Sequence, residues 1–125
     1  MANANSGVEV RNSILNSTKK VIGIMPEYTE FDDQLILYIN TVFSKLWQLG
    51  VGPEDGFQIE DETTTWNEYL DDNKLLNDVK TFVHFSVKLM FDPPQSSSSM
   101  NALNELIKEY EWRINIQVDP ERDSE

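Results

Sequence analysis

Residues 73–90 read NKLLNDVKTFVHFSVKLM, and at helical spacing hardly any side of this stretch is polar. Leu75, Leu76, Val79, Phe82, Val83, Phe85, Val87, Leu89 and Met90, joined by Phe91, cover nearly the whole circumference. A helix that is apolar all round is a buried one, so this segment predicts the centre of a helical bundle. The narrow row Lys80, His84, Lys88, spaced i, i+4, i+8, remains polar. Asp71 or Asp72 can cap the start. Asp92-Pro93-Pro94 ends the helix, because proline fixes its own backbone and pushes the preceding residue out of helical space. These three residues form a predicted hinge that sets the angle to the next helix.

Downstream, the serine run Ser96–Ser99 offers an N-cap. Met100, Leu103, Ile107, Tyr110 and Ile114, with Leu106 alongside, then repeat at the 3–4 spacing of a packing stripe over about Met100 to Asn115. Trp112 falls on the opposite side. Upstream, Arg11 to Ile24 predicts a first helix ended by Gly23 and Pro26. Thr29-Glu30-Phe31-Asp32 resembles a capping box opening a second helix to Leu49, and Gly50 fits the left-handed position past its end. Glu54 to Asp72 is a long connection, with a short helix after Thr63–Thr65. The expected architecture is all-α: a bundle of about four helices over residues 11–115, a flexible segment 1–10, and an extended acidic C-terminal tail 116–125.

Charge narrows the function classes. Among 125 residues, 22 acids face 10 bases, a net charge of −12, which disfavours sequence-specific contact with a phosphate backbone. The connection Glu54–Asp72 alone holds eight acids and no base, together with Phe57, Ile59, Trp66, Tyr69 and Leu70. Those aromatics either dock under a folded flap or anchor a partner, and the sequence leaves both open. Cysteine is absent, which removes disulfides and thiolate chemistry and suits an intracellular origin. The N-terminus has no signal-peptide pattern and no apolar run approaches a membrane span, so a soluble chain is expected, without membrane contact.

No arrangement of residues predicts catalysis, and no cofactor or metal site is expected. Gly50-x-Gly52 follows a helix and lacks the third glycine of a dinucleotide loop. The acids near 54–62 lack calcium-loop spacing. His84 is the single histidine, and Lys80 and Lys88 beside it disfavour the imidazolium that a general base must become. The chain reads as a non-enzyme.

Several motifs, taken in order, resemble head–tail connector proteins of long-tailed bacteriophages. They are Tyr28-Thr29-Glu30-Phe31-Asp32, Ile39-Asn40-Thr41-Val42, Gln48-Leu49-Gly50-Val51-Gly52-Pro53, Gly56-Phe57-x-Ile59, Thr64-Thr65-Trp66, Leu89-Met90-Phe91-Asp92-Pro93-Pro94 and Glu109-Tyr110-Glu111-Trp112-Arg113-Ile114-Asn115. The resemblance runs over about residues 12–116. It implies a virion protein of the neck, an adaptor assembled as a twelve-fold ring beneath the portal. Such a ring joins the portal to a stopper or tail completion protein and lets DNA pass along its axis without specific binding. On that reading Lys80, His84, Lys88, Trp112, Ile116 and Val118 are candidate subunit or portal contacts. Glu60, Asp61 and Glu62 are candidate lumen-facing acids. The alternative is a small acidic phage-encoded interaction protein, an inhibitor or an assembly chaperone.

Overall fold

The structure is a computed structural model that describes residues 10–71 and 73–118. The N-terminal segment through residue 9, Asp72 as a cap, and the tail beyond residue 118 lie outside the described residues. The helices are α1 (Ile14–Val21), α2 (Asp32–Gln48), α3 (Trp66–Tyr69), α4 (Asn73–Phe91) and α5 (Ser97–Val118). Among the described residues the sole β pairing is an isolated bridge between Ser13 and Thr65.

The chain is all-α, as its periodicity predicted, with α4 in the middle. Helix α4 touches α1, α2 and α5. It runs antiparallel to α2, because Phe31, just before α2, meets Phe91 at the end of α4, with ring centroids 5.2 Å apart. Helix α5 then returns along α4, so that Gln117 near its end donates to Asp78 near the start of α4 at 2.7 Å. One core joins Ile14 and Leu15 of α1, Leu35, Ile39, Val42, Phe43 and Leu46 of α2, Leu76, Val79, Phe82, Val83 and Val87 of α4, and Ile114 of α5. In α5 just Leu103 and Ile114 are buried, so this helix rests on the bundle by one face.

Several element ends differ from the sequence reading, and the larger differences have local reasons. Helix α1 starts at Ile14 and not at Arg11, because Ser13 accepts a hydrogen bond from the Asn16 amide at 3.1 Å and acts as the N-cap. It also ends earlier, at Val21, where the Ile24 amide turns back to the Lys19 carbonyl at 2.8 Å. The start of α2 has no side-chain cap, since the Asp32 carboxylate turns instead to Lys19. The capping arrangement occurs at α3, where Glu68 accepts from the Thr65 amide at 2.9 Å and from its hydroxyl at 3.1 Å. Helix α5 continues three residues past Asn115, so Ile116 and Val118 are helical, and Val118 packs onto Gly50 at the end of α2. The serine expectation holds: Ser96 accepts from the Ser99 amide at 3.1 Å.

The connection 54–72 is an ordered flap, which settles where its aromatics go. Trp66 and Tyr69 are buried, 2% and 3% exposed, and both pack against Phe43, Trp66 edge-on and Tyr69 tilted over it. The Asn40 side chain holds the flap midway: its Oδ1 accepts from the Ile59 amide at 2.8 Å and its Nδ2 donates to the Ile59 carbonyl at 3.1 Å. This satisfies both backbone groups of a buried residue as a neighbouring strand would. Farther on, the Ile14 amide donates to Thr64 and the Trp66 amide donates to Asn12, at 3.1 and 3.0 Å. The flap is thus laced to the front of α1.

Lys19 is fully buried, and its Nζ donates to Asp32 Oδ1 at 2.8 Å and to the Pro26 carbonyl at 2.9 Å. A buried ammonium costs several kcal/mol unless paired in this way. The pair ties α1 to the first turn of α2 and fixes the turn between them.

Gly52 tests how tightly the flap is seated. Its φ is +91°, and a Cβ there would lie 2.7 Å from Tyr69 Cε1, on a ring held by Phe43 and Phe57. Gly52→Ala should therefore cost about 3 kcal/mol, from left-handed strain and overpacking together. Gly23→Ala, at φ +87° with nothing within 4 Å, should cost about 1 kcal/mol. Urea denaturation of both variants checks the difference, and equal losses would mean that the ring moves aside.

Candidate functional site

Lys80, His84 and Lys88 lie on one face of α4, all half-buried, and the first two meet Trp66 of the flap. The His84 ring stands edge-on to Trp66, with centroids 5.7 Å apart, and Lys80 Nζ lies 5.9 Å above the indole. From α1, Ser17 completes the cluster. Its hydroxyl oxygen accepts from Trp66 Nε1 at 2.9 Å, lies 3.2 Å from the Ile14 carbonyl and is 3.5 Å from His84 Nε2. Lys88 stands one turn along, bridged to Asp92 at 2.8 Å. Within the subunit, then, the partner that the acidic connection offers this row is an aromatic ring.

The Ser17–His84 approach has the elements of a nucleophile and a base, but the geometry uses them otherwise. Ser17 is buried and already takes the indole N–H. Burial, reinforced by the Lys80 charge, pushes the His84 pKa down to about 4. So weak a base, beside a buried hydroxyl, serves to fasten the flap to α1 and α4. Among the described residues no three histidine or acidic side chains group to hold a metal ion. No described helix is long and apolar enough to cross a membrane.

The described acids of the flap face outward. Glu60, Asp61 and Glu62 are exposed. Asp61 accepts from the Thr63 hydroxyl at 2.6 Å and its amide at 2.9 Å, and these bonds hold its pKa below the usual carboxylate value. The backbone carbonyl of Glu62 accepts from Ser13 at 2.7 Å, which fixes the direction of this acidic edge. Between flap and α2 lies a cleft of about 460 Å³ bordered by Asn40, Ser44, Trp47 and Asp55.

Exposed apolar side chains occur at both ends of the bundle and also along it, at Leu37 of α2 and Leu106 of α5. Trp112 is 57% exposed on the outer face of α5, near Leu106 on one side and Leu49 on the other. Trp47 is half exposed at the same end, its Nε1 donating to the Glu54 carbonyl at 2.9 Å. Ile116 and Val118, half-buried, lie on the last turn of α5. At the opposite end, Asp92-Pro93-Pro94 separates α4 from α5, with the Asp92 amide closing onto Lys88 at 2.8 Å.

Residues 14–121 match a family model described as phage connector protein. The chain belongs to the phage connector protein family. This agrees with the resemblance carried by the sequence motifs and gives the protein a structural role of the phage-connector type. No curated protein and no solved structure gives a match. In this connector, sequence reasoning overlooked Ser17, Lys19 and Asn40 as fixing residues. Asn40 carried a faint signal, as a polar residue between the buried Ile39 and Val42.

Because folded His84 holds its proton less well than an unfolded histidine near 6.5, lowering the pH favours the unfolded chain. Stability should fall as pH drops through 6.5 and level off below about 4. Allowing for partial exposure, the loss between pH 7 and 5 should be about 1–2 kcal/mol. His84→Gln should flatten this part of the profile, as urea midpoints across that range will show.

Proposed function

We propose that this connector is a head-to-tail adaptor that assembles as a ring beneath the portal and joins it to a stopper or tail completion protein. The single observation that supports this most is the family match, which spans nearly the whole folded chain. Two further features agree with it. The bundle carries exposed apolar side chains at both ends, as a bridging protein needs. Its net charge of −12 suits a channel through which DNA moves without holding on.

On this reading the ring contact is apolar at Trp112 and Leu106, with Ile116 and Val118 continuing it toward the tail and the portal. Lys80 and Lys88, with His84 as the uncharged member of the row and Lys88 exchanging its exposed Asp92 partner, orient neighbouring subunits, since half-exposed ion pairs contribute about 0–1 kcal/mol each. Asp92-Pro93-Pro94 sets the angle of α5 and hence the pitch of the ring. Glu60, Asp61 and Glu62 border the lumen, where fixed negative charge repels the DNA backbone and offers no cation for its counterions. The assembled ring sits in the virion neck, reached from the host cytoplasm during assembly.

A phage lacking this chain should accumulate filled heads and unjoined tails, and joining without it would end the adaptor reading. Supplying Trp112→Asp should not restore joining. That variant should keep the helical circular dichroism of the wild type but remain monomeric by native mass spectrometry. Rings of normal size would place the subunit contact elsewhere. Lysine at residues 60, 61 and 62 together should leave assembly intact and slow DNA ejection at low salt, with the difference fading as salt screens it. Unchanged ejection kinetics would assign these acids to the outer rim.

A further inference from the structure

The turn between α1 and α2 carries a second apolar surface that the ring reading does not use. The tilted rings of Tyr28 and Phe31 lie 5.8 Å apart, and Phe31 meets Phe91 of α4 edge-on at 5.2 Å. Met25 and Tyr28 are 65% and 51% exposed, and Phe31 and Met90 are also exposed. The two stretches that stood out in the sequence, Tyr28–Asp32 and Leu89–Pro94, thus come together at one solvent-facing aromatic cluster. It lies at the start of α2, whereas Leu49 and the Trp112 surface lie past its end, and the 17 residues between span roughly 25 Å.

The surroundings of the cluster are anionic. Glu27, Glu30, Asp33 and Asp92 are exposed beside it, and no base occurs between Lys20 and Lys45. Lys88, the nearby base on α4, is bridged to Asp92. An occupant must therefore bring positive charge next to apolar side chains, and its cations would also favour the exposed ring faces. A second copy of this chain fits poorly. It carries −12, and of its bases Lys45, Lys88, Lys108 and Arg113 pair with acids of their own chain while Lys80 lies over Trp66, so exposed Lys20 is weighed against a large acidic excess. We infer that the α1–α2 turn and the end of α4 form a docking surface for a cationic, apolar-bearing segment of a different neck protein. This rests on the adaptor reading and adds which end of the bundle receives a partner, and of what chemistry.

The test is photo-crosslinking in assembling phage, with p-benzoylphenylalanine in place of Tyr28 and the linked peptides identified by mass spectrometry. The expected product joins this chain to a segment of another virion protein in which Lys or Arg flanks an apolar residue. Links to copies of this chain, or none, overturn the inference. The double variant Glu27→Lys, Glu30→Lys alters exposed residues and should leave the thermal midpoint unchanged while reducing head–tail joining at least tenfold. Wild-type joining by this variant, in a phage where deletion of the chain abolishes joining, overturns the docking surface and leaves the adaptor function standing. Joining in the deletion itself would instead remove the adaptor reading.

Discussion

The burial of one side chain, Trp66, holds the separate parts of this molecule together. It belongs to the flap, yet it packs on Phe43 of α2, faces His84 of α4 and donates its indole N–H to Ser17 of α1. Removing so large a buried ring costs about 3–5 kcal/mol in comparable cores, a large share of the stability of a domain this size. The partners of Trp66 are polar where the ring is polar and apolar elsewhere, so the indole is satisfied on all sides. Asn40 at Ile59 and the bridge from Ser13 to Thr65 then have only to hold the backbone on either side of it.

That arrangement reconciles two properties of the acidic connection. Eight carboxylates between residues 54 and 72 would favour an open, solvated chain if nothing opposed them. Burial of Ile59, Trp66 and Tyr69 opposes them, and the seven described acids are left on the outside. A flexible acidic loop would merely repel, whereas one pinned at Glu62 and Asp61 presents charge at a defined position. For a connector protein that difference separates general solubility from a shaped electrostatic surface.

The helices themselves were legible because hydrophobic periodicity and Pro-Pro punctuation act over a single turn or two. α4 was placed correctly at the centre, although Lys74, Asn77 and Asp78 give it a polar side that the sequence reading passed over, and Gly50 ends α2 as its position implied, at φ +91°. What escaped was every decision made by a distant partner. Asp32 looks like a cap in sequence, but Lys19 claims it across the turn. Thr65 and Glu68, three residues apart, look no better than Thr29 and Asp32 until Trp66 is buried beside them. Whether Trp66 and Tyr69 faced a partner or the core depended on contacts up to 49 residues away, which no local pattern encodes. Trp112 was legible as an outward residue and Lys80 and Lys88 as a basic row, whereas the attachment of Lys80 to an indole was not.

Helix α5 has a mechanical meaning that follows from its sparse burial. Its 22 residues lean on α4 through one face, with Leu103 and Ile114 buried, and its far end touches the rest through Glu111 to Lys45 and Val118 to Gly50. Tension applied to α5 therefore travels into the body along two routes, the short elbow at Asp92–Gln95 and the contacts at the end of α2. Between those routes the helix is a beam about 33 Å long, supported along its length by a single neighbour. Such a part bends as one piece, so a pull at one end of the bundle is delivered to the other without first unpicking the Trp66 core.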